Sequence, residues 1–312
     1  MKRIRRGLVV LAAAALAMAG LGSAAPASAA VHQAPRANAA TDQVPHTKAA
    51  WQADLKQVRT PGRGCFSSSY PALTWHAVTC GTGPKMPSAP ARPAAPVGHA
   101  TPAQVGAGTD YVATVPGYIS EATGTFGSIS SNIYETGLVG NTGTPYPNAF
   151  SLQLNSNPNF TTAACSGTTN LACKGWQQFL YTFGTGGHTL TVPQIYMQYW
   201  LFDYGTASAP STCPSGWNYA PAAGTSRAGC WVNSKAVNVP AVTVGELGDL
   251  EFSGAAESGG TDEVSLVVGS EAYAIAASDS VLDLAAVWDQ TEWGVYGDTN
   301  SSVANFGAGT SL

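Results

Sequence analysis

Charge, histidine and recognisable catalytic motifs are all scarce in this sequence. Only 10% of its 312 residues are charged, and it contains no CxxC, no HExxH, no GxSxG and no Gly-rich phosphate loop. These absences argue against a thiol redox enzyme, a zinc peptidase of the HExxH type, an α/β-hydrolase and a P-loop nucleotide binder. We therefore expect neither a metal ion nor a cofactor.

The sequence offers few suitable residues for two common hydrolytic active sites, the Ser-His-Asp triad and the carboxylate pair of glycosidases. Residues 110–312 contain one histidine, His188, in a Gly-flanked loop, so a Ser-His-Asp triad would depend on that residue. A two-carboxylate glycosidase needs its acidic side chains on one face of a strand. Glu246, Asp249 and Glu251 come closest, but strand alternation places Glu246 on the face opposite the other two. Neither arrangement is favoured.

Long apolar runs are confined to the N-terminus. Four basic residues precede an apolar run from Leu8 to Leu21, and Ala27-Ser28-Ala29 follows as a small-residue cleavage site. This order is typical of a secretory signal peptide, here over residues 1–30. No later window approaches the length of a membrane span. The sequence predicts a secreted, extracellular protein with no membrane partner.

The six cysteines form three local pairs along the chain, namely Cys65 with Cys80, Cys165 with Cys173, and Cys213 with Cys230. In an oxidising compartment, proximity makes these pairs the simplest of the fifteen possible disulfide connectivities. We therefore expect three disulfide-closed loops. A zinc site is the alternative, but CxxC spacing and flanking histidines are absent.

Charge is distributed unevenly along the chain. Residues 110–312 carry 3 basic and 16 acidic residues, whereas residues 31–109 carry 7 basic and 2 acidic residues and four of the five histidines. An acidic domain repels phosphates, which argues against nucleic acid as a partner. Because a basic segment would cover an acidic domain at neutral pH and lose that attraction in acid, residues 31–105 are a candidate pro-segment. The alternative is a disordered spacer that includes the Pro- and Ala-rich stretch 84–102.

Residues 106–312 form the predicted folded domain, which is long enough to bury one substantial core. Short runs rich in β-branched and aromatic residues alternate with turns rich in Gly, Ser, Asn and Pro, and this spacing predicts an all-β antiparallel β-sandwich behind a Pro/Ala-rich N-terminal extension. The expected strands are Asp110–Val115, Gly117–Phe126, Ala149–Asn155, Gly175–Phe183, Gln194–Tyr204, Cys230–Val239, Leu250–Gly254, Glu263–Val268, Ala272–Ala276, Val287–Tyr296 and Val303–Phe306. Residues 278–287 are expected to add one or two helical turns.

Three of these strands place a carboxyl or amide group among aromatic side chains. The residues that alternation assigns to such faces are Trp288, Gln290 and Glu292 on one strand, Trp176 and Gln178 on another, and Gln198 and Trp200 on a third. If the strands are neighbours, these side chains form one polar aromatic groove that binds substrate. The alternative for Glu292 is a solvated carboxylate on an edge strand.

Glu292 is the strongest candidate for proton transfer. A carboxyl group beside indole rings is partly desolvated, which raises its pKa and suits it to general acid catalysis in mildly acidic solution. A glutamine N–H could stabilise the developing oxyanion. Such a pair needs no histidine, metal or cofactor.

Short motifs in this domain resemble a known family. Thr291-Glu292-Trp293, followed by Val303-Ala304-Asn305-Phe306-Gly307, resembles the AEW…ANFG ending of eqolisin-type glutamic peptidases, and Glu292-Trp293-Gly294 is also similar to the EWGG ending of the neprosin group. Ala122-Thr123-Gly124-Thr125-Phe126 resembles the VTGTF strand near the eqolisin start, and Tyr196-Met197-Gln198-Tyr199-Trp200 is similar to the YxAWYEW strand. The order of these motifs along the domain agrees with that of the family.

The resemblance implies a concanavalin-like β-sandwich, a basic pro-segment removed in acid, and endopeptidase activity at low pH through a Gln/Glu pair. Glu292 matches the catalytic Glu of the family. The catalytic Gln belongs to the strand before the Trp-rich one, which selects Gln177 or Gln178, with Gln178 favoured because its strand neighbours are less crowded. Gln153 lies one strand too early.

The sequence therefore favours a monomeric, secreted acid endopeptidase that acts on a protein or peptide substrate. The alternative is a secreted β-sandwich binding protein, lectin-like or associated with the cell envelope, in which Trp176, Trp200 and Trp288 stack on sugar rings and nothing is cleaved.

Overall fold

The computed structural model describes residues 47–88, 111–139, 143–183, 192–205, 212–222, 227–298, 302–308 and 311–312. The predicted signal peptide, the boundary expected at residues 105/106 and His188 lie outside these residues. The described elements are helix α1 (Lys48–Leu55) and strands β1 (Gly64–Ser69), β2 (His76–Val78), β3 (Tyr111–Thr114), β4 (Glu121–Gly124), β5 (Glu135–Leu138), β6 (Pro145–Pro147), β7 (Phe150–Ser156), β8 (Lys174–Thr182), β9 (Gln194–Phe202), β10 (Asn218–Ala220), β11 (Gly229–Asn238), β12 (Leu250–Ala256), β13 (Thr261–Val268), β14 (Glu271–Ser278), β15 (Gln290–Gly297) and β16 (Asn305–Phe306).

Two antiparallel sheets contain most of these strands. One sheet has six strands in the order β2-β1-β14-β13-β12-β4, and the other has seven in the order β10-β11-β9-β8-β7-β15-β3. Strands β16, β5 and β6 form a small third sheet. The all-β sandwich predicted from the strand spacing is therefore confirmed.

The main core lies between the two large sheets. Alternation turns Phe179 and Trp293 of the seven-stranded sheet inward, and the Trp293 ring stacks on Phe252 of the six-stranded sheet with centroids 5.8 Å apart. Gly124 on β4 leaves room for this indole, because a Cβ atom there would lie 2.1 Å from the Trp293 ring. The central strands β7, β8 and β9 are buried along nearly their whole length, on both faces.

Part of the segment that precedes residue 106 belongs to the sandwich. Strand β1 pairs with β14 over six consecutive residues, from Gly64 opposite Ala276 to Ser69 opposite Glu271. Helix α1 begins after Thr47, whose hydroxyl accepts a hydrogen bond from the Ala50 N–H at 3.1 Å. These elements were not predicted, because the Ser-rich β1 lacks the β-branched residues that indicate a strand.

Local features of the sequence prediction are confirmed. The three disulfides join Cys65 to Cys80, Cys165 to Cys173, and Cys213 to Cys230, with Cα–Cα distances of 5.3, 5.9 and 5.6 Å. Short 3₁₀ helices at Asp279–Val281 and Leu284–Ala286 are the helical turns expected before the last long strand. Among the residues that the structure describes, no helix combines the length and apolar character needed to cross a membrane.

Candidate functional site

Strand β15 places Glu292 and Trp293 on opposite faces of the seven-stranded sheet. Trp293 packs into the core, where its ring centroid lies 5.2 Å from that of Phe126. Glu292 therefore points to the face turned away from the six-stranded sheet. Because Glu292 is only 1% exposed, it is not the solvated surface carboxylate that the alternative interpretation required.

A row of carboxyl and amide side chains crosses five strands at one register. From β15 to β11, the directly opposed residues are Glu292, Asn155, Gln178, Gln198 and Asn233. Residues opposite one another in neighbouring strands have side chains on the same face. We call these five residues the amide row.

Hydrogen bonds connect the Glu292 end of the amide row. Asn155 Nδ2 donates to Glu292 Oε2 at 3.0 Å and lies 3.4 Å from Gln153 Oε1, two residues earlier on β7. Gln178 Nε2 donates to the same Gln153 oxygen at 3.0 Å. Asn155, Gln153 and Gln178 are each at most 1% exposed, so the hydrogen bonds among them form a buried network.

An indole N–H orients the glutamines at the other end. Trp200 Nε1 donates to Gln178 Oε1 at 2.9 Å and to Gln198 Oε1 at 3.0 Å. Gln198 Nε2 donates to Asn233 Oδ1 at 2.6 Å. With its oxygen held by Trp200, Gln178 directs its NH₂ group toward β7.

Residues 81–88, which we call the covering segment, lie against the amide row. Ser88 is 3% exposed, and its N–H donates to Gln198 Oε1 at 2.8 Å. Its hydroxyl lies 2.9 Å from the phenol oxygen of Tyr196. Its main-chain carbonyl accepts from Gln153 Nε2 at 3.2 Å and from Gln178 Nε2 at 3.3 Å. A peptide carbonyl of the chain itself thus occupies the junction of two amide donors.

The site combines side-chain amide N–H donors with one carboxyl group. Converging N–H donors around a carbonyl oxygen stabilise the negative charge that develops there during acyl transfer. A carboxyl group can remove a proton from water and later return it to a leaving group. Glu292 is linked to Gln153 through Asn155, so the proton-transfer group and a carbonyl-polarising donor belong to one network.

Gln177, the other glutamine that the sequence left open, lies on the face of β8 opposite Gln178. Gln177 points into the core between the sheets, where its Nε2 donates to Asp262 Oδ2 at 2.8 Å. The cause is strand alternation, which sends adjacent residues of β8 to opposite faces. Gln178 alone of this pair belongs to the amide row.

Asp262 is a buried carboxyl whose role is separate from the amide row. It is 0% exposed, and burial raises its pKa well above the ordinary aspartate value, while the hydrogen bond from Gln177 opposes that rise. The nearby carboxyl of Asp279 raises it further.

Trp176 and Trp200 lie on the amide face but do not present open rings. They are 6% and 2% exposed and pack with Phe202 and Trp231. The Trp176 indole N–H donates to the Ser156 carbonyl at 3.1 Å. Their faces are occupied by other aromatic rings, which removes the open platform that sugar stacking requires.

Trp288 does not share the face of Glu292, contrary to the prediction from alternation. It is 0% exposed in the core, with its ring centroid 5.5 Å from that of Phe179. The regular strand begins only at Gln290, after the 3₁₀ turn Leu284–Ala286, so alternation does not extend back to Trp288. Gln290 lies at the start of β15, where its Nε2 donates to Thr114 Oγ1 at 3.2 Å.

Two residues of the site, Asn155 and Ser88, were not predicted, and Gln153 was set aside as lying one strand too early. Alternation within Phe150–Ser156 places Gln153 and Asn155 on one face, so the signal for a second amide strand was present. What was missing was the strand order, which places β7 between β15 and β8. No local pattern indicates that Ser88 lies on this sheet.

A separate cavity of about 340 Å³ opens on the other side of β15 and is lined by Val112, Thr125, Phe126 and Trp293. It does not include the Glu292 carboxyl.

Comparison of the chain with protein-family models, with curated proteins and with solved structures finds no match.

Proposed function

We propose that the protein is a secreted acid endopeptidase of the glutamic type, in which Glu292 transfers protons and the amides of Gln153 and Gln178 polarise the scissile carbonyl. The observation that carries the proposal is the Ser88 carbonyl, a peptide group that accepts from both amides within the network that reaches Glu292. This is the contact that a bound peptide substrate needs. The concanavalin-like arrangement and the signal peptide remain predictions.

The first step is the addition of water to the substrate carbonyl. Glu292, as carboxylate, accepts a proton from water while the water oxygen forms a bond to the carbonyl carbon. The π electrons of the carbonyl move onto its oxygen, and the N–H groups of Gln153 and Gln178 stabilise the resulting negative charge. Asn155 holds the Glu292 carboxyl through its hydrogen bond to Oε2.

The second step breaks the peptide bond. The proton on Glu292 passes to the amide nitrogen as the C–N bond breaks and the carbonyl re-forms. The products are a carboxylic acid and an amine, and Glu292 is again a carboxylate. One carboxyl group therefore serves as base and then as acid, with no metal or cofactor in either step.

The covering segment makes the full chain latent in this proposal. Ser88 occupies the amide donors that the substrate carbonyl would use, so peptide access requires its displacement. Residues 31–109 carry 7 basic and 2 acidic residues, residues 110–312 carry 16 acidic residues, and protonation of carboxylates weakens attraction between opposite charges. We expect activation in acid.

The test is hydrolysis of denatured casein by the purified full chain between about pH 3 and 7, following casein fragments and the protein's own N-terminus. Glu292→Gln should abolish acid-dependent cleavage and leave folding intact. Glu257→Gln, at an exposed turn, is the matched control and should behave as the parent chain. Intact casein and an unchanged N-terminus at every pH would instead favour the binding-protein alternative.

A further inference from the structure

Four alternate carbonyls of the covering segment each meet a side-chain amide of the seven-stranded sheet. The contacts are Gln194 Nε2 to the Thr82 oxygen at 3.5 Å, Asn233 Nδ2 to Pro84 at 2.7 Å, Gln198 Nε2 to Met86 at 3.3 Å, and Gln178 and Gln153 Nε2 to Ser88 at 3.3 and 3.2 Å. The segment is therefore bound at every second residue.

The amides that make these contacts belong to four strands. Asn233 is on β11, Gln194 and Gln198 are on β9, Gln178 is on β8, and Gln153 is on β7. From Pro84 to Ser88 the covering segment crosses from β11 over β9 to β8 and β7, in the direction of β15, the strand that carries Glu292. A peptide bound in the same way is led toward the carboxyl group.

Most contacts of the segment involve its main chain. Gly81 exchanges two main-chain hydrogen bonds with Ala236, at 2.8 and 3.1 Å. Gly83 approaches β11 so closely that a Cβ atom would lie 2.4 Å from the Ser234 carbonyl oxygen. Lys85 is exposed. Ser88 also uses its side chain, which hydrogen-bonds to the Tyr196 hydroxyl.

We infer that Gln194, Asn233 and Gln198, together with Gln178 and Gln153, form a binding groove for a polypeptide main chain, occupied here by residues 81–88 as a tethered ligand with a bend at Lys85 and Met86. Side-chain amides hold alternate carbonyls, so the groove recognises the backbone and tolerates varied side chains. The assignment of Gln194, Asn233 and Gln198 to the amino-terminal side of the reacting carbonyl rests on the proposed function, whereas peptide binding does not.

Binding is measured without turnover in the full chain carrying Glu292→Gln. The probe is a fluorescent octapeptide with the sequence of residues 81–88, followed by polarisation. Gly83→Ala should displace the covering segment through its contact with Ser234 and strengthen probe binding by about tenfold or more, because a tethered ligand competes at millimolar effective concentration.

Variants of the groove then test each amide. In the Gly83→Ala, Glu292→Gln chain, Asn233→Leu or Gln198→Leu should weaken the probe about three- to tenfold each. A probe with a trans-alkene in place of the peptide bond after Pro84 should lose a similar factor, and the loss should not add to that of Asn233→Leu. Alanine at the Lys85 and Met86 positions of the probe should change affinity by less than about threefold.

Gln52→Leu is the matched control, since this helical amide contacts the Gly269 carbonyl in the turn between β13 and β14 of the six-stranded sheet. A second measurement does not depend on the probe: tryptic cleavage after Lys85 in the Glu292→Gln chain should accelerate with Asn233→Leu or Gln198→Leu but not with Gln52→Leu. Thermal melting confirms that each variant is folded.

Equal effects of the groove and control variants would overturn the inference. Probe binding that follows these expectations without any casein cleavage by the parent chain would retain it and reject the peptidase proposal.

Discussion

The side-chain amide of Gln178 donates a hydrogen bond of 3.3 Å to the main-chain carbonyl of Ser88, a residue 90 positions earlier in the chain. The same amide reaches Gln153 Oε1 at 3.0 Å and thereby joins the network that ends at Glu292. A buried amide needs partners for its N–H groups, because each unpaired donor costs about 1–3 kcal/mol. The covering segment supplies one such partner, and a substrate peptide could replace it.

Substitution of Gln177 and substitution of Gln178, adjacent residues on β8, should have different effects on catalysis and stability. Gln178→Met removes a donor from the reacting carbonyl, so we expect kcat to fall about 10²–10³-fold, the range found when one oxyanion donor is lost. Gln177→Met removes the donor to Asp262 on the core face and should lower the free energy of unfolding by about 1–3 kcal/mol while kcat stays within a factor of about three. Casein kinetics and urea unfolding measure the two effects. Equal losses of kcat in both variants would contradict the assignment of faces.

The buried carboxyl of Asp262 should make the fold more stable in acid. Burial raises its pKa well above the ordinary value, so the folded state binds the proton more tightly than the unfolded state. The stabilisation is complete below the unfolded pKa of about 3.9 and is lost as pH rises toward the folded pKa. Asp262→Asn should therefore flatten the decline in stability above about pH 4. Urea unfolding at several pH values tests this, and an unchanged profile in the variant would reject it.

Burial of Glu135 on β5 should also make the fold more stable in acid than at neutral pH. Burial raises its pKa from 4.5 to about 7; main-chain N–H groups of Asn305 and Ala149 oppose the rise and the charge of Asp298 adds to it. Its stabilising effect is present below the unfolded pKa and is lost between about pH 4.5 and 7. We expect Glu135→Gln to raise the free energy of unfolding at neutral pH by about 2 kcal/mol relative to the parent, with little gain in acid. Glu257→Gln, at an exposed turn, should show no such pH-dependent gain.

The Cys65–Cys80 disulfide should help to keep the chain latent, because Cys80 immediately precedes the covering segment and Cys65 lies in β1. The bridged residues are separated by 15 positions, so replacing both by alanine should cost about 3 kcal/mol of stability. The same change should loosen the covering segment and shorten the lag before casein cleavage in acid. Removal of Cys165–Cys173 is the control: it should destabilise the fold without shortening the lag. If both variants show the same lag, the Cys65–Cys80 disulfide does not contribute to latency.

Periodic and local features of the chain were predictable. In β9, Tyr196, Gln198 and Trp200 lie on one face as alternation predicts, because a regular strand has a period of two. The disulfide pairs were predictable because each joins cysteines that are neighbours in sequence. Alternation failed at Trp288, where a 3₁₀ turn ends the regular spacing before the strand begins.

The sequence by itself determined the β-sandwich class, the disulfide pairing and the candidacy of Glu292, since these depend on local spacing and on residue type. Only the tertiary structure decided that Gln178 rather than Gln177 belongs with Glu292, that β7 contributes Gln153 and Asn155 between them, and that Ser88 occupies their amides. Strand order and the path of the covering segment depend on contacts between residues far apart in the chain. Such contacts follow from the packing of the whole sandwich, and no local pattern of residues encodes them.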